Sequence, residues 1–296
     1  MIEGQEDVTW DDWRALAGAC EEHGIATLFR SDHYLSVFGV AGRGSLDAWA
    51  TINALAAVTS TLRLGTLVSP ATFRHPAELA KVAVTADHVS GGRVELGLGT
   101  GWNEAEQEAY GFPFPPMGER MNELERQLQT VASHWSEDGP ARPTPVQKPR
   151  PNLIVGGRGG PRSVRMAARY ADEYNTVSKT AEECAAIRAR LDDECEAAGR
   201  EPIPLSLMTT WLAGEDHAEL VERAGALAAW QGRDGDGEAL LGELRASAIA
   251  GTIDENLERL SGLADAGVER VMLQHLLHRD LDVVEQIGRR VAPAVA

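Results

Sequence analysis

The chain has 296 residues, of which 43% are hydrophobic and 25% are charged. This length and apolar content exclude a disordered protein and allow one large domain or two. Asp and Glu number 45 against 28 Lys and Arg, a net charge of −17 that disfavours binding to nucleic acid or to an anionic membrane. The three cysteines form no Cys-x-x-Cys pair, so neither a disulfide framework nor a zinc site is predicted.

The sequence also lacks the signals of membrane insertion and export. No apolar stretch approaches the roughly 20 residues that a helix needs to cross a bilayer, and the acidic N-terminal residues do not form the basic segment of a secretory signal. We therefore expect a cytoplasmic protein that acts on a small-molecule substrate and has neither nucleic acid nor a membrane as a partner.

Short apolar runs alternate with amphipathic segments of helical length along the chain, which indicates β/α units. The predicted strands are residues 1–3, 25–30, 62–68, 94–98, 152–155, 173–177, 205–212 and 270–274. The predicted helices begin at the N-cap Thr9 and continue with 46–58, 77–89, 119–135, 162–171, 181–198, 254–266 and 281–291. Residues 101–116 are rich in proline, glycine and aromatic side chains, and we expect no regular element there.

Eight strands, each followed by a helix, predict a (β/α)8 TIM barrel with insertions after the fourth and seventh strands. The second insertion, residues 214–248, is acidic and helical in pattern, and we expect it to cover the mouth of the barrel. A doubly wound open sheet is the alternative, but no glycine-rich phosphate turn follows the first predicted strand. The whole chain, 1–296, is therefore interpreted as a single domain.

In a barrel the functional residues lie just past the carboxyl ends of the strands. The second predicted strand ends at Asp32 and His33, where the carboxylate could hold an imidazole that contacts a ligand ring or moves a proton. The structural alternative is that this pair only ties its loop to a neighbouring loop. The third strand ends at Val68 and Ser69, and the hydroxyl of Ser69 could reach the edge of a ligand.

Glycines mark the ends of the next two predicted strands. Gly97, Gly99 and Gly101 alternate around Thr100, so a flat ligand could lie against the backbone, although tight packing could equally require them. The turn after the fifth strand consists of Gly156, Gly157, Arg158, Gly159, Gly160, Pro161, Arg162 and Ser163. Free backbone N–H groups and two arginines at this helix start predict an anion site, without the Gly-Lys-Ser/Thr of an ATPase loop. No cluster of metal-ligand spacing lies on the predicted rim, and no metal is expected.

These motifs together resemble those of the bacterial-luciferase-like (LLM class) F420/FMN-dependent oxidoreductase family. The matching segments are residues 31–34, 64–70, 74–76, 91–106, 119–120, 156–163, 167–172 and 266–271. They occur in order and cover nearly the whole chain. Trp102 stands where the sugar-phosphate dehydrogenases of the family place a glutamate, so that residue and that substrate are not carried over.

The resemblance implies a barrel that binds a flavin or a deazaflavin. Residues 156–163 would hold the cofactor phosphate, and the ring system would lie across the mouth. The residues that the resemblance places beside the ring are Asp32, His33, Val68, Ser69, Thr100 and Gly101. It also implies a non-prolyl cis peptide near residues 67–68 and a homodimer.

Coenzyme F420 is favoured over FMN because Asp32 and His33 resemble the deazaflavin-using members. The expected activity is hydride transfer between F420 and a small organic substrate, with His33 as the catalytic residue. The predicted substrate pocket consists of Tyr34, Trp102, Trp211 and His275. An FMN-dependent monooxygenase is the alternative, and a flavin-binding barrel without catalysis is a third interpretation.

Overall fold

A computed structural model describes residues 1–233 and 235–295 and contains an eight-stranded parallel sheet surrounded by helices. The strands are β1 (Thr27–Arg30), β2 (Arg63–Pro70), β3 (Val94–Gly99), β4 (Asn152–Gly156), β5 (Glu173–Val177), β6 (Leu205–Gly214), β7 (Ile249–Thr252) and β8 (Arg270–Gln274). The helices are α1 (Trp10–Glu22), α2 (Ala48–Val58), α3 (Pro76–Ser90), α4 (Glu104–Tyr110), α5 (Met117–Trp135), α6 (Pro161–Tyr170), α7 (Ala181–Ala197), α8 (His217–Trp230), α9 (Gly237–Arg245), α10 (Ile253–Asp265) and α11 (Leu281–Gln286). A π-helical segment, Ile287–Val291, and a short 3-10 helix, Ala292–Ala294, follow α11.

Backbone hydrogen bonds at the start of the chain close this sheet into a barrel. Strands β1 to β6 pair in chain order, and β8 pairs with the first half of β6. The Met1 nitrogen donates to the Leu273 carbonyl on β8, and the Ile2 nitrogen donates to the Phe29 carbonyl on β1. The predicted first strand is therefore present as a very short segment, and the predicted TIM barrel is confirmed.

Hydrophobic clusters lie on both sides of the sheet and hold the barrel together. The largest cluster lies between the sheet and the helices and contains the fully buried Trp13, Trp49 and Trp135. A smaller cluster inside the barrel contains Phe29 and Ile154, with other residues from facing strands. The described helices include none long and apolar enough to cross a membrane.

Ion pairs fill the amino-terminal end of the barrel. Arg270, the first residue of β8, donates to Glu95 at 2.7 Å and to Glu173 at 3.1 Å, and Arg63 donates to Glu95 at 2.8 Å. Burial alone would raise the pKa of the Glu95 carboxyl, but the two arginines hold that pKa below its usual value. Because these side chains occupy this end, we expect a ligand to enter the barrel at the carboxyl ends of its strands.

The structure corrects the sequence interpretation of residues 101–116, which contain helix α4. Asn103 caps this helix by accepting a hydrogen bond from the Glu106 nitrogen, and Gly111 ends it in a left-handed conformation. Acidic residues in the first turn favour such a helix through its dipole. The surrounding glycines and prolines concealed a helix of only two turns.

The insertion after β6 contains α8, α9 and the short strand β7, which the sequence did not predict. The helices and strand of the insertion therefore extend to Thr252, beyond the expected limit of 248. Residue 234, which the predicted insertion includes, lies outside the described residues. The ring centroids of Trp230 on α8 and Phe38 are 5.2 Å apart, and Arg43 Cζ lies 4.1 Å from the Trp230 ring centroid. Phe38 and Arg43 both belong to the loop that follows β1. The insertion thus lies at the same end of the barrel as the mouth.

The glycines at the ends of β3 and β4 make room for one side chain. The Leu67–Val68 peptide is cis, as the resemblance implied, and the pairing of β2 with β3 shifts register there. A Cβ atom added at Gly97, Gly99 or Gly156 would lie 2.7–2.9 Å from a methyl group of Val68. The suggestion that Gly97 and Gly99 face a flat ligand is therefore replaced by the packing alternative.

We expect Gly97→Ala to destabilise the protein by roughly 1–3 kcal/mol, because the new methyl would also overlap the Thr66 carbonyl oxygen. The matched control is Gly18→Ala at an exposed position of α1, where a Cβ atom meets nothing within 4 Å and should add about 0.5–1 kcal/mol of stability. Urea denaturation measures both changes. Equal effects of the two substitutions would contradict this packing arrangement.

Candidate active site

Most of the predicted site residues lie at the carboxyl ends of β1 to β4 or on the loops that follow these strands. Asp32 and His33 follow β1, Ser69 belongs to the end of β2, Thr100 follows β3, and the glycine turn follows β4. Parallel strands place all of these loops at one edge of the sheet. Asp32 and His33, although adjacent in the sequence, contact different partners.

Asp32 does not hold His33, contrary to the sequence interpretation. The Asp32 side chain is completely buried, and its Oδ2 atom accepts hydrogen bonds from Ser69 Oγ at 2.6 Å and from Arg74 at 2.5 Å. Ser69 Oγ also accepts a hydrogen bond from Trp49 Nε1 at 3.0 Å. The Ser69 hydroxyl is thus engaged below the mouth, and Asp32 Oδ1 is buried without a partner among the described residues.

Arg74 joins this buried carboxylate to the rim. Its second amino group contacts Asp47 at 2.6 Å and donates to the Tyr34 hydroxyl at 3.1 Å. Burial raises the pKa of that hydroxyl, so it remains protonated and donates to Asp47 at 2.8 Å. The Tyr34 ring stacks on Phe73 at 5.2 Å and packs against Tyr110 at 4.9 Å. Tyr34 is therefore fixed from both its polar and its apolar side.

His33 is held by Glu106, which lies on α4. The Nδ1 atom of His33 is 2.8 Å from Glu106 Oε2, and Glu106 Oε1 accepts hydrogen bonds from the backbone nitrogens of Tyr34 and Leu35. The Glu106 side chain is completely buried, whereas 11% of the His33 side chain remains exposed. A carboxylate that accepts at Nδ1 leaves Nε2 as the ring nitrogen available to a ligand.

The environment of His33 favours its protonated form. Burial alone would lower the pKa of the imidazole, but the hydrogen bond and the negative charge of Glu106 outweigh this effect and raise it. The carboxylates of Glu3 and Asp32 add to the increase. His33 therefore retains a proton to a higher pH than an ordinary histidine.

Residues 100–102 form the rim above His33. Gly101 has a φ angle of +75°, a left-handed conformation that favours glycine, and its carbonyl accepts a hydrogen bond from Arg120 at 2.7 Å. The next residue, Trp102, is 60% exposed and meets the His33 ring edge-on at 5.6 Å. Thr100 is half-buried. Trp102 thus places the 100–102 segment against His33.

The glycine turn begins α6 without a side-chain cap. Gly160 is the N-cap, Pro161 is the first helical residue, and no side-chain hydrogen bond satisfies the first amides. Arg158 is exposed beside the turn. Arg162 instead turns toward α5, where it donates to Asn122 at 2.6 Å and to the Gly118 carbonyl at 3.2 Å. The contacts with α5 thus engage Arg162, and the guanidinium of Arg158 is the one that remains available at this turn.

Trp211 and His275 do not line the mouth with Tyr34 and Trp102. Trp211 is 2% exposed and belongs to the core between sheet and helices, because alternation along β6 directs it outward. His275 is 5% exposed and contacts the Asp280 carbonyl through Nε2 at 3.0 Å. Burial lowers the pKa of its imidazole to about 3 and keeps it neutral. Strand position alone did not reveal these orientations.

Glu106 is a site residue that was not predicted from the sequence. Its signal was present, since Asn103 followed by acidic residues at 104 and 106 is a helix start that could have been recognised. Its distance of 73 residues from His33 gave no indication that the two side chains meet. Among the described residues, no group of three or more histidine, cysteine, aspartate or glutamate side chains could hold a metal ion.

We expect Glu106→Gln to lower the pKa of His33, because the amide keeps an acceptor but removes the negative charge. In the native protein the raised pKa contributes stability below the ordinary histidine pKa of about 6.5, and this contribution is lost as the pH rises through the folded-state pKa. The substitution should therefore cost more stability near pH 5.5 than near pH 9. NMR titration of the His33 ring and urea denaturation at both pH values measure these effects, with exposed Glu108→Gln as the control. An unchanged His33 pKa would contradict the assignment.

Comparison with known proteins gives this site a family context. A family model described as luciferase-like monooxygenase matches residues 2–281. An uncharacterized protein of Mycobacterium tuberculosis is 31% identical over 218 residues, which cover 64% of this chain and 76% of that protein. The F420-dependent glucose-6-phosphate dehydrogenase of Nakamurella multipartita is 30% identical over 206 residues, which cover 62% of this chain and 58% of that enzyme. The FMNH2-dependent dimethylsulfone monooxygenase of Pseudomonas putida is 27% identical over 205 residues, which cover 64% of this chain and 54% of that enzyme.

A solved structure agrees with the architecture. The F420-dependent tetrahydromethanopterin reductase of Methanopyrus kandleri superimposes with a TM-score of 0.80, covering 100% of this chain and 98% of that one at 18% identity. This identity supports a common fold alone. With the family model matching nearly the entire chain, the protein belongs to the luciferase-like monooxygenase family, whose members include F420-dependent and FMNH2-dependent oxidoreductases.

Proposed function

We propose that the protein is an F420-dependent oxidoreductase that transfers hydride between the deazaflavin and a small organic substrate. The observation that carries this proposal is a partly buried His33 whose Nδ1 atom is held by Glu106 and whose Nε2 atom makes no hydrogen bond with the described residues. A deazaflavin supplies two-electron hydride transfer, and the substrate usually gains or loses a proton in the same reaction. His33 is the residue placed to exchange that proton.

The residues at the mouth suit a flat ring. The Val68 side chain packs directly against the glycine backbone of β3 and β4, and it is only partly buried. Met208 on β6 is a second partly buried apolar side chain of the same inner cluster. An apolar floor with His33 at its edge supports binding of an aromatic ring system beside a polar group.

The glycine turn suits the phosphate of such a cofactor. The uncapped amides of α6 point toward the N-terminal end of a ten-residue helix, where the dipole favours an anion. The exposed Arg158 adds a positive charge in a protein whose net charge is −17. Residues 156–163, with Arg158 as the free guanidinium, are therefore the proposed phosphate site, and Asp32 acts below the ring by anchoring Arg74 and Ser69.

An FMN-dependent monooxygenase is the second candidate, because the Pseudomonas putida relative uses FMNH2. Both cofactors have a tricyclic ring and a phosphate on a ribityl chain, so the turn suits either one. A cytoplasmic location and a homodimer are further proposals, the first from the sequence and the second from the family resemblance, and light scattering measures the oligomeric state.

We expect the purified protein to bind F420 more tightly than FMN. The measurement is a fluorescence titration of each cofactor, followed by an assay in which reduction of F420 is coupled to a panel of alcohols and other small reductants. Preferential FMN binding with substrate oxidation that requires oxygen would replace the proposal by the monooxygenase alternative. Binding of neither cofactor would refute both.

His33→Ala should reduce turnover by roughly 10²- to 10⁴-fold, the range typical of lost acid–base assistance, with little effect on cofactor affinity. The pH profile separates this role from a structural one, because the native profile should follow a raised histidine pKa and the variant should not. The control is His88→Ala at an exposed position on α3. Normal turnover in the cofactor-bound His33 variant would remove this residue from the mechanism.

A further inference from the structure

We infer that Tyr174, a fully buried residue of β5, is a positioning residue that holds the phosphate turn in its binding conformation. This inference rests on the proposed function, since it concerns the same turn. Tyr174 lies directly beneath the turn, where its Oη atom is 2.9 Å from the Gly159 nitrogen and 2.9 Å from Ser163 Oγ. Its side chain is outside the set of residues that would touch the cofactor.

Donor and acceptor chemistry gives these hydrogen bonds one direction. The Gly159 N–H can only donate, so Tyr174 Oη accepts from it. Ser163 Oγ donates its single proton to the Gly160 carbonyl at 2.9 Å. Tyr174 must therefore donate its own proton to Ser163 Oγ, and a continuous chain runs from Gly159 through Tyr174 and Ser163 to Gly160. Each polar group in this chain has the partner that burial demands.

This chain engages the inner side of the turn and leaves its outer side free. The Gly159 carbonyl accepts a hydrogen bond from Arg190 on α7, and the Gly157 nitrogen donates to the Asn175 carbonyl at 2.9 Å. Gly159 has a φ angle of +80°, a conformation that its inward hydrogen bonds maintain. The amides of Arg162 and Ser163 belong to the first turn of α6 and have no acceptor within the helix. An anion would find these amides already oriented, which lowers the entropic cost of binding.

Contact distances show how closely the tyrosine hydroxyl fits. A Cβ atom added at Gly157 would lie 2.5 Å from Tyr174 Oη and 2.9 Å from Ser163 Oγ. Glycine at 157 is thus required by the hydroxyl, in addition to any approach of a ligand. The pKa of the Tyr174 hydroxyl is raised by burial, although its hydrogen bonds oppose this effect, so the proton that orients Ser163 stays in place.

The test is Tyr174→Phe, which removes one oxygen atom and keeps the ring that packs in the core. Without the hydroxyl, the buried Gly159 N–H loses its acceptor, and the turn must rearrange to satisfy it. We expect the Kd of the phosphate-bearing cofactors, F420 and FMN, to rise roughly 5- to 100-fold. The Kd of the phosphate-free ring compounds, the deazaflavin nucleoside and riboflavin, should change less than about twofold, because the floor and His33 are untouched. Fluorescence titration measures all four ligands.

Tyr170→Phe is the matched control. Tyr170 ends α6, and its hydroxyl accepts a hydrogen bond from Gln129 on α5 at 2.9 Å, away from the turn. This variant should keep native affinity for every ligand. A second arm is Gly157→Ala, which displaces the tyrosine hydroxyl while leaving it present and should weaken the same two ligands. Combined with Tyr174→Phe, Gly157→Ala should add little, because the two substitutions remove one shared interaction.

The outcomes separate the two proposals. If native protein prefers phosphate-bearing over phosphate-free ligands and Tyr174→Phe keeps that preference, the positioning role is overturned while the proposed function stands. If Tyr174→Phe weakens all four ligands equally, with a lowered melting temperature, Tyr174 is only structural and the inference is also overturned. If the native protein shows no preference for phosphate, the proposed phosphate site fails and the inference fails with it.

Discussion

All candidate chemistry in this protein depends on one constraint, a parallel sheet that closes into a barrel filled at one end. The ion pairs of Arg270 with Glu95 and Glu173 occupy the amino-terminal end of that barrel. A buried charge network of this kind is stable only when each charge has a partner, and here each arginine meets a carboxylate. No such network occupies the opposite end among the described residues. There the loops after β1 to β4 bring together His33, the aromatic rim and the glycine turn.

Two buried carboxylates divide the work at the mouth. Asp32 pairs with Arg74 and Ser69 and so fixes the end of β2, whereas Glu106 pairs with His33 and fixes the end of β1. Their environments differ because Asp32 faces a guanidinium that is always charged, while Glu106 faces an imidazole whose charge depends on pH. The pairing of Asp32 with Arg74 and Ser69 holds the end of β2 rigidly, whereas the pairing of Glu106 with His33 leaves an imidazole that can exchange a proton.

The glycines serve two distinct purposes that look alike in the sequence. Gly97, Gly99 and Gly156 accept the methyl groups of Val68, and this raises an apolar side chain toward the mouth. A Cβ atom at Gly157 would lie 2.5 Å from the Tyr174 hydroxyl, and the Gly159 N–H donates a hydrogen bond to that hydroxyl, which sets the conformation of the turn. At Gly97, Gly99, Gly156 and Gly157, a side chain from another strand, rather than a ligand alone, explains the absence of a Cβ atom.

The sequence by itself determined the barrel, seven of its strands within a few residues, and the loops on which the site would lie, because hydrophobic periodicity and glycine turns are local signals. It could not show that Asp32 turns from His33 to Arg74, or that Glu106 meets His33 across 73 residues. It also placed Trp211 and His275 at the mouth, whereas strand register buries both of them elsewhere. Local sequence determines the strand end at which a residue lies. The direction of its side chain and the distant group that it meets are decided only when the sheet closes and the loops pack together.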